Sequence, residues 1–169
     1  MTEHQYRRRN NMRLPFYDYS RYGCYFVTIC TKERHCLFGN IQDGEMRLNE
    51  LGNIVKNGLL SVLSDYPQSE FSHYVVMPNH LHFIWFNQDG VDLSHIVKLI
   101  KGRISFQYGQ YAKENNIEKP PLWQRSFYEH IIRNEEDFLR IWEYIENNPL
   151  QWELDRFNPK NIVQVVRAG

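Results

Sequence analysis

Val75-Val76-Met77-Pro78-Asn79-His80-Leu81-His82-Phe83-Ile84-Trp85 is the stretch around which the chain is organised. Two apolar, β-prone runs flank Pro78-Asn79, a pair that interrupts a strand and favours a turn, so the stretch reads as two neighbouring strands joined tightly. Side chains alternate faces along a strand, which puts His80, His82 and Ile84 on one face and Leu81, Phe83 and Trp85 on the other. Two imidazoles two positions apart stand roughly 6.6 Å apart at the backbone, close enough for both rings to lean onto one metal ion. Neutral imidazole nitrogens are good metal ligands. The pair equally suits a half-buried, hydrogen-bonded role without metal, since His-x-His arises easily by chance.

Working outward, 169 residues suffice to bury one core without covalent staples. The 42% hydrophobic and 24% charged content is that of an ordinary globular domain. Aromatic residues reach 15%, a surplus that serves either a core or flat surfaces on which bases stack. A formal net charge of zero rules out a global basic field and leaves only local charge to attract nucleic acid. Cys24, Cys30 and Cys36 form no Cys-x-x-Cys pair and are odd in number, which argues against a disulfide framework or zinc knuckle and fits a reducing compartment. The opening residues are polar and arginine-rich, and no run approaches ~18 apolar residues, so the expected location is cytoplasmic, with no membrane partner.

Local charge is concentrated at the start. Arg7, Arg8, Arg9, Arg13 and Arg21 face only Glu3 and Asp18, with Tyr6, Phe16, Tyr17, Tyr19 and Tyr22 interleaved. Such an arm can grip phosphates and offer rings to unpaired bases, or it can be a solvated terminus that keeps the chain soluble. The chain divides into a basic arm over residues 1–22, one domain over 23–158 and a tail over 159–169.

Within the domain, Tyr25 to Thr31 reads as a strand, and Asp43-Gly44 as a tight hairpin turn. A helix is expected from its cap Asn49 to Tyr66, stopped by Pro67, with Leu51, Ile54, Val55, Leu59, Val62 and Leu63 as its core stripe. Phe71 to Met77 leads into the histidine strand. A second helix runs from near Asp92 to about Asn115, burying Leu93, Ile96, Val97, Ile100, Ile104, Tyr108 and Tyr111. Lys98, Lys101 and Arg103 lie off that stripe, where they could line a DNA path or simply be an exposed charged face. Phe127 to Ile132 is a further strand, and Ile162 to Val166 a possible short one. Asn134 caps a last helix with Glu135, Glu136 and Asp137 in its first turn. Phe138, Ile141, Trp142 and Ile145 face the core, and Pro149 ends it. Tyr144 and Asn148, four apart, fall one above the other on the flank of that stripe. The order of elements predicts an α+β domain with a central antiparallel β-sheet of about five strands and α-helices packed on it.

If the last helix covers the histidine face, the amide oxygen of Asn148 joins His80 and His82 in a two-His, one-oxygen set with open positions. Such a set suits Mg²⁺ or Mn²⁺ and does not exclude zinc. A phenol is a weak nucleophile at its free pKa of about 10, and a neighbouring cation favours the phenolate. A metal beside Tyr144 can also polarise a phosphoryl oxygen for in-line attack. The product would be a phosphotyrosine ester, which keeps the bond energy for rejoining. Tyr144 could instead be a packing residue, one tyrosine among 11.

Three motifs occur together and in order: Pro78-Asn79-His80-Leu81-His82, the segment from Trp123-Gln124-Arg125 to Ile132-Arg133, and Tyr144-Ile145-Glu146-Asn147-Asn148-Pro149. They resemble those of the single-tyrosine HUH transposases (the IS200-like family), and within it the REP-associated tyrosine transposases, whose N-terminal arm is similar to Tyr6 to Tyr22 here. The resemblance spans roughly residues 6 to 157. It implies a ferredoxin-like, RRM-like HUH nuclease fold, a divalent ion held by His80 and His82, and a nucleophile at Tyr144. The third ligand position matches Asn148, where better-known insertion-sequence members carry glutamine. Such enzymes nick single-stranded DNA beside a hairpin, leaving a 5′-phosphotyrosine and a free 3′-hydroxyl, as monomers or as homodimers.

The leading expectation is a Mg²⁺- or Mn²⁺-dependent DNA strand transferase, with DNA held by Arg7, Arg8, Arg9, Arg13, Lys98, Lys101, Arg103, Arg125 and Arg133. Two alternatives stand beside it: a metal phosphodiesterase that activates water, and a domesticated relative that binds hairpin DNA or RNA without cutting.

Overall fold

Alternation along each strand dictates the layering. The structure, a computed structural model, describes residues 22–161. Its elements are β1 (Gly23–Cys30), β2 (Gly39–Gln42), β3 (Glu45–Leu48), α1 (Glu50–Ser61), β4 (Glu70–Met77), β5 (His80–Asn87), α2 (Leu93–Glu114), β6 (Tyr128–Ile132) and α3 (Glu135–Glu146). Four strands form the central sheet in the order β4-β5-β1-β6, with every neighbouring pair antiparallel. With the β2–β3 ribbon set aside, the order is β-α-β-β-α-β. Each β-α-β unit is split by a strand from elsewhere: β5 lies between β1 and β4, and β1 between β5 and β6. This is the ferredoxin-like arrangement, and the α+β fold class is as expected.

One face of the sheet carries Tyr25, Val27 and Ile29 of β1 with Leu81, Phe83 and Trp85 of β5. They pack with Leu51, Val55 and Leu59 of α1 and with Leu93, Ile96, Val97, Ile100 and Ile104 of α2. Gly58 brings the two helices close, because a Cβ there would stand 2.5 Å from Cγ1 of Ile104. The other face is divided. Phe26, Ile84 and Ile132 meet Ile141 and Ile145 of α3, while Cys30 and Met77 meet Trp152 and Phe157 from the segment after α3.

The helix starts follow the sequence signals: Asn49 accepts from the backbone N–H of Gly52 at 2.9 Å, Asp92 from Ser94 at 2.8 Å and Asn134 from Asp137 at 2.8 Å. Asp43 and Gly44 both take positive φ, 52° and 74°, as a two-residue hairpin turn requires.

Four departures have local causes. Among the described residues the central sheet has four strands rather than about five, since the short β2–β3 hairpin there pairs only with itself. The first helix stops at Ser61 and tightens into a 3₁₀ turn over Val62–Ser64, where the hydroxyls of Ser61 and Ser64 bond back to the carbonyls of Gly58 and Ser61. Trp142 lies at the margin of the core, 37% exposed, because its ring stacks on His73 of the edge strand β4 at 4.5 Å rather than entering the interior. Asn148 lies just past the end of α3, in a tightened turn where its N–H reaches the carbonyl of Ile145 at 3.3 Å, because Pro149 disfavours helical backbone at the residue before it. The possible strand from Ile162 to Val166 and the arm arginines lie outside the described residues.

Candidate active site

The register of the sheet assembles the site. His82 is paired with Thr28 of β1 on one side and Val75 of β4 on the other, and Thr28 is paired in turn with Tyr128 of β6. Directly paired residues of antiparallel strands present their side chains to the same face. His82, Thr28 and Tyr128 therefore form a row across the sheet, with His80 two residues before His82. Both imidazoles are buried, at 0% and 1% exposure, with ring centroids 4.5 Å apart in an edge-on arrangement.

Each ring is oriented through its Nδ1. That of His80 lies 2.8 Å from Oδ1 of Asn79, and that of His82 lies 2.7 Å from Oγ1 of Thr28. An amide oxygen can only accept, so His80 carries its proton on Nδ1 and keeps its lone pair on Nε2. Desolvation, first, together with the charges of Arg156 and Arg34, pulls His80 down to about 3, despite an opposing influence of the Asn148 side chain. Burial likewise holds His82 well below its ordinary range, helped by His80 and Arg156. Both rings are thus neutral, the form that binds metal.

Helix α3 covers this row. The hydroxyl of Tyr144, half-buried on the helix flank, lies 3.4 Å from Nε2 of His82 in the same chain. Its ring packs edge-on to those of His82, at 5.2 Å, and Phe26, at 6.1 Å. The helix is pinned at both ends by histidines of the edge strands. Nε2 of His73 in β4 stands 2.9 Å from Glu146, and Nε2 of His130 in β6 stands 2.6 Å from Asp137. Burial opposes charge on Asp137, but hydrogen bonds from His130 and Arg140 outweigh it and hold the carboxyl below its ordinary range.

Two buried polar atoms at the site lack a hydrogen-bond partner: Nε2 of His80 and Oδ1 of Asn148. Lone pairs left bare in an apolar setting are costly unless something fills them, and a divalent ion is a group that would. Among the described residues no three His, Cys, Asp or Glu side chains gather as a metal site. A metal between the histidines would thus draw its third protein ligand from another residue type, and Asn148 offers an amide oxygen.

The description "Transposase IS200 like" belongs to the family model that matches residues 20–148, from the end of the arm through Tyr144 to Asn148. The chain belongs to the IS200-like transposase family. An uncharacterised protein of Haemophilus influenzae is 38% identical over 170 residues, covering 88% of this chain and 92% of that one. A REP-associated tyrosine transposase of Escherichia coli is 29% identical over 139 residues, covering 79% and 73% of the two chains. In three dimensions the chain is similar to a REP-associated tyrosine transposase solved bound to a REP hairpin, with a TM-score of 0.63 and 26% identity over 83% of this chain and 74% of that one. The family is one of DNA transposition and recombination, and transposases of this type are generally metal-dependent. No helix among the described residues is long and apolar enough to cross a membrane.

Against this transposase frame the expected DNA-binding residues divide. Lys98, Arg125 and Arg133 are exposed. Lys101 and Arg103 are occupied by protein partners on α2, which packs on the sheet face opposite the histidines. The Lys101 ammonium donates to the carbonyls of Gln124 at 2.9 Å and Ser126 at 3.1 Å, and burial pulls its pKa down to about 8. Arg103 donates to the carbonyl of Ser61 at 2.8 Å and pairs with Asp65. Arg7, Arg8, Arg9 and Arg13 lie outside the described residues.

Sequence reasoning passed over four contributors. Thr28 was visible as a strand residue, but its pairing with His82 is a matter of register. Asn79 read as a turn residue, yet it is fully buried; its amide nitrogen donates to the carbonyls of Arg34 at 2.9 Å and Phe157 at 2.7 Å. Trp152 and Phe157, in a segment with no periodic pattern, close the floor under His80, with the Phe157 ring 4.5 Å from it.

Proposed function

We propose that this chain is a metal-dependent single-stranded DNA endonuclease and strand transferase acting beside hairpin DNA, with Tyr144 as the nucleophile. The observation that carries this reading is the convergence of the Tyr144 hydroxyl on Nε2 of His82, at 3.4 Å, beside the unpartnered Nε2 of His80 and Oδ1 of Asn148. His80, His82 and Asn148 would hold the ion, Mg²⁺ or Mn²⁺, all three donors being uncharged nitrogen or oxygen. Bound there, the ion would supply charge to polarise a phosphoryl oxygen and to favour the phenolate.

The chain's own residues do the rest. Thr28 and Asn79 fix the two rings with Nδ1 turned away from the site, and α3 presents Tyr144 in cis. The Tyr144 oxygen attacks phosphorus, its proton passing to solvent, from which the departing O3′ takes one up. The phosphorus–O3′ bond breaks as the tyrosine ester forms, leaving a 5′-phosphotyrosine and a free 3′-hydroxyl. Reversal with another 3′-hydroxyl rejoins DNA without ATP. The hairpin is suggested by the solved relative, whose partner is a REP hairpin. The arm and the exposed Arg125 and Arg133 would contact DNA backbone.

The test is incubation with labelled hairpin DNA from repeats flanking the gene, with Mn²⁺ or Mg²⁺, followed by denaturing gels and peptide mass mapping. A covalent adduct on Tyr144, lost in Tyr144→Phe, is expected. Cleavage without an adduct would make the protein a water-activating phosphodiesterase, and binding without cleavage a hairpin-binding module.

A further inference from the structure

Among the described residues, Asp155 is the one buried side chain of the Asp, Glu, Lys and Arg type. A carboxylate withdrawn from water is costly unless its surroundings satisfy it. The segment after α3 sets its place. The N–H of Asp155 reaches the carbonyl of Trp152 at 3.0 Å, and its own carbonyl accepts from the N–H of Asn158 at 3.0 Å and from the side chain of Asn161 at 2.9 Å. Two guanidiniums hold the neighbouring ring: the Cζ atoms of Arg34 and Arg156 stand 5.1 Å and 4.8 Å from the centroid of Phe157, and Nη1 of Arg34 donates to the carbonyl of Arg156 at 3.0 Å. Phe157 packs 4.5 Å from His80, so the turn that carries Asp155 belongs to the floor of the site.

A local role explains only half of this carboxyl. Oδ1 accepts from the N–H of Phe157 at 2.8 Å, a turn that solvated aspartates also make. Oδ2 is buried, and no hydrogen bond of standard geometry reaches it. The side-chain donor that acts on the carboxyl is the amide of Asn148, itself 1% exposed, and the same amide acts on His80. A carboxylate only accepts, so it meets the NH₂ end of that amide and leaves the oxygen end turned away. That oxygen, Oδ1 of Asn148, is one of the two unpartnered acceptors at the site, with Nε2 of His80. Burial raises the Asp155 carboxyl above its ordinary range, and the Phe157 N–H, Arg156, Asn148 and Arg34 all act against that rise. Two N–H donors and two positive charges thus favour the form that accepts only.

We propose that Asp155 is a positioning residue: its carboxyl holds the NH₂ end of Asn148, so that the amide oxygen is presented, beside Nε2 of His80, to a divalent ion. This rests on the metal-site reading given above. Asp155 does for the amide what Thr28 and Asn79 do for the two rings. With the amide reversed, its NH₂ would face Nε2 of His80 and occupy the lone pair that the ion needs.

The experiment combines calorimetric titration of the full chain with Mn²⁺ and the ¹⁵N–¹H side-chain amide signals of the metal-free chain. Asp155→Asn keeps a carbonyl oxygen for the Phe157 N–H, yet it donates as well as accepts and no longer dictates which end of Asn148 it meets. Mn²⁺ affinity should fall about tenfold, the low end for a lost orienting partner. The amide signals of Asn148, identified by their absence in Asn148→Ala, should move without metal. In the Asn148→Ala background, Asp155→Asn should cost nothing further, since no amide is left to aim. Exchanging the pair, Asn148→Asp with Asp155→Asn, should restore affinity, because acceptor and donor again face each other. A merely structural Asp155 gives no such rescue. Unchanged affinity in folded Asp155→Asn, or a loss that adds in full to that of Asn148→Ala, would overturn the proposal. If Asp155→Asn does not fold, the parent chain decides. Slow exchange of the Asn148 NH₂ protons with water supports the proposal, and exchange as fast as that of an exposed amide overturns it. A parent chain that binds no Mn²⁺ ends the metal reading itself, whereas parent binding with an unchanged variant ends only the role of Asp155.

Discussion

Oγ1 of Thr28 lies 2.7 Å from Nδ1 of His82, a bond between residues directly paired across β1 and β5. Held there at Nδ1, the ring turns Nε2 toward the hydroxyl of Tyr144. Thr28→Val keeps the shape of the side chain and removes the hydroxyl. Loss of such an orienting partner ordinarily weakens metal binding by roughly 10–100-fold. Calorimetric titration with Mn²⁺ should show that loss, with only a small change in melting temperature. Unaltered Mn²⁺ affinity would mean that His82 is not oriented by Thr28 for metal binding.

Acid should unfold the chain early. His80 is pulled down to about 3 from an ordinary 6.5, and His82 well below 6.5, both chiefly by burial. Between the folded and unfolded values the unfolded chain binds more protons. Stability therefore rises with pH from about 3 to about 6.5 and is level above that as far as these groups are concerned. Two such groups give a slope of up to about 2.7 kcal/mol per pH unit well below 6.5. Urea midpoints should fall steeply between about pH 6.5 and about pH 5, and His80→Gln should flatten the fall. A midpoint constant over that interval would contradict neutral, buried imidazoles.

Asn148 is testable apart from catalysis. Its Oδ1 is buried and unpartnered, while its side chain acts on both His80 and Asp155. Asn148→Ala should weaken Mn²⁺ binding by about tenfold if one ligand bond is lost. Hairpin binding in EDTA should be unaffected. Asn148→Asp sets a carboxylate near buried Asp155, so it should lower stability without metal and regain it when Mn²⁺ is added. Identical Mn²⁺ affinities for all three proteins would remove Asn148 from the ligand set.

Lys101 should prove structural. Its ammonium closes on the loop carbonyls of Gln124 and Ser126, and burial lowers its pKa to about 8. Lys101→Met should cost about 1.5–3 kcal/mol in chemical denaturation, the range for hydrogen bonds to charged groups. The salt dependence of DNA binding should stay unchanged, whereas a slope reduced at full stability would return Lys101 to the DNA path.

The alternation in Val75 to Trp85, the caps at Asn49, Asp92 and Asn134 and the Asp43-Gly44 turn are local signals, and each produced its element where the chain alone predicts it. The sharing of one face by His80 and His82 was equally legible, since a strand permits nothing else. What no local pattern encodes is register and crossing. Thr28 meets His82 only because β1 pairs with β5 in one alignment, and a shift of one residue would turn Thr28 to the other face. Asn148 reads as a residue of α3, yet its side chain acts on His80 from the turn beyond the helix, because Pro149 ends the helix first. Arg34, Arg156 and Phe157 come together through a segment without periodicity, held by the buried amide of Asn79. Sequence by itself determined the elements and the faces of the histidine strand, because backbone sterics and hydrophobic periodicity act over a few residues. Only the tertiary structure decided which side chains meet over those histidines, because that depends on strand pairing and on packing between residues far apart in the chain.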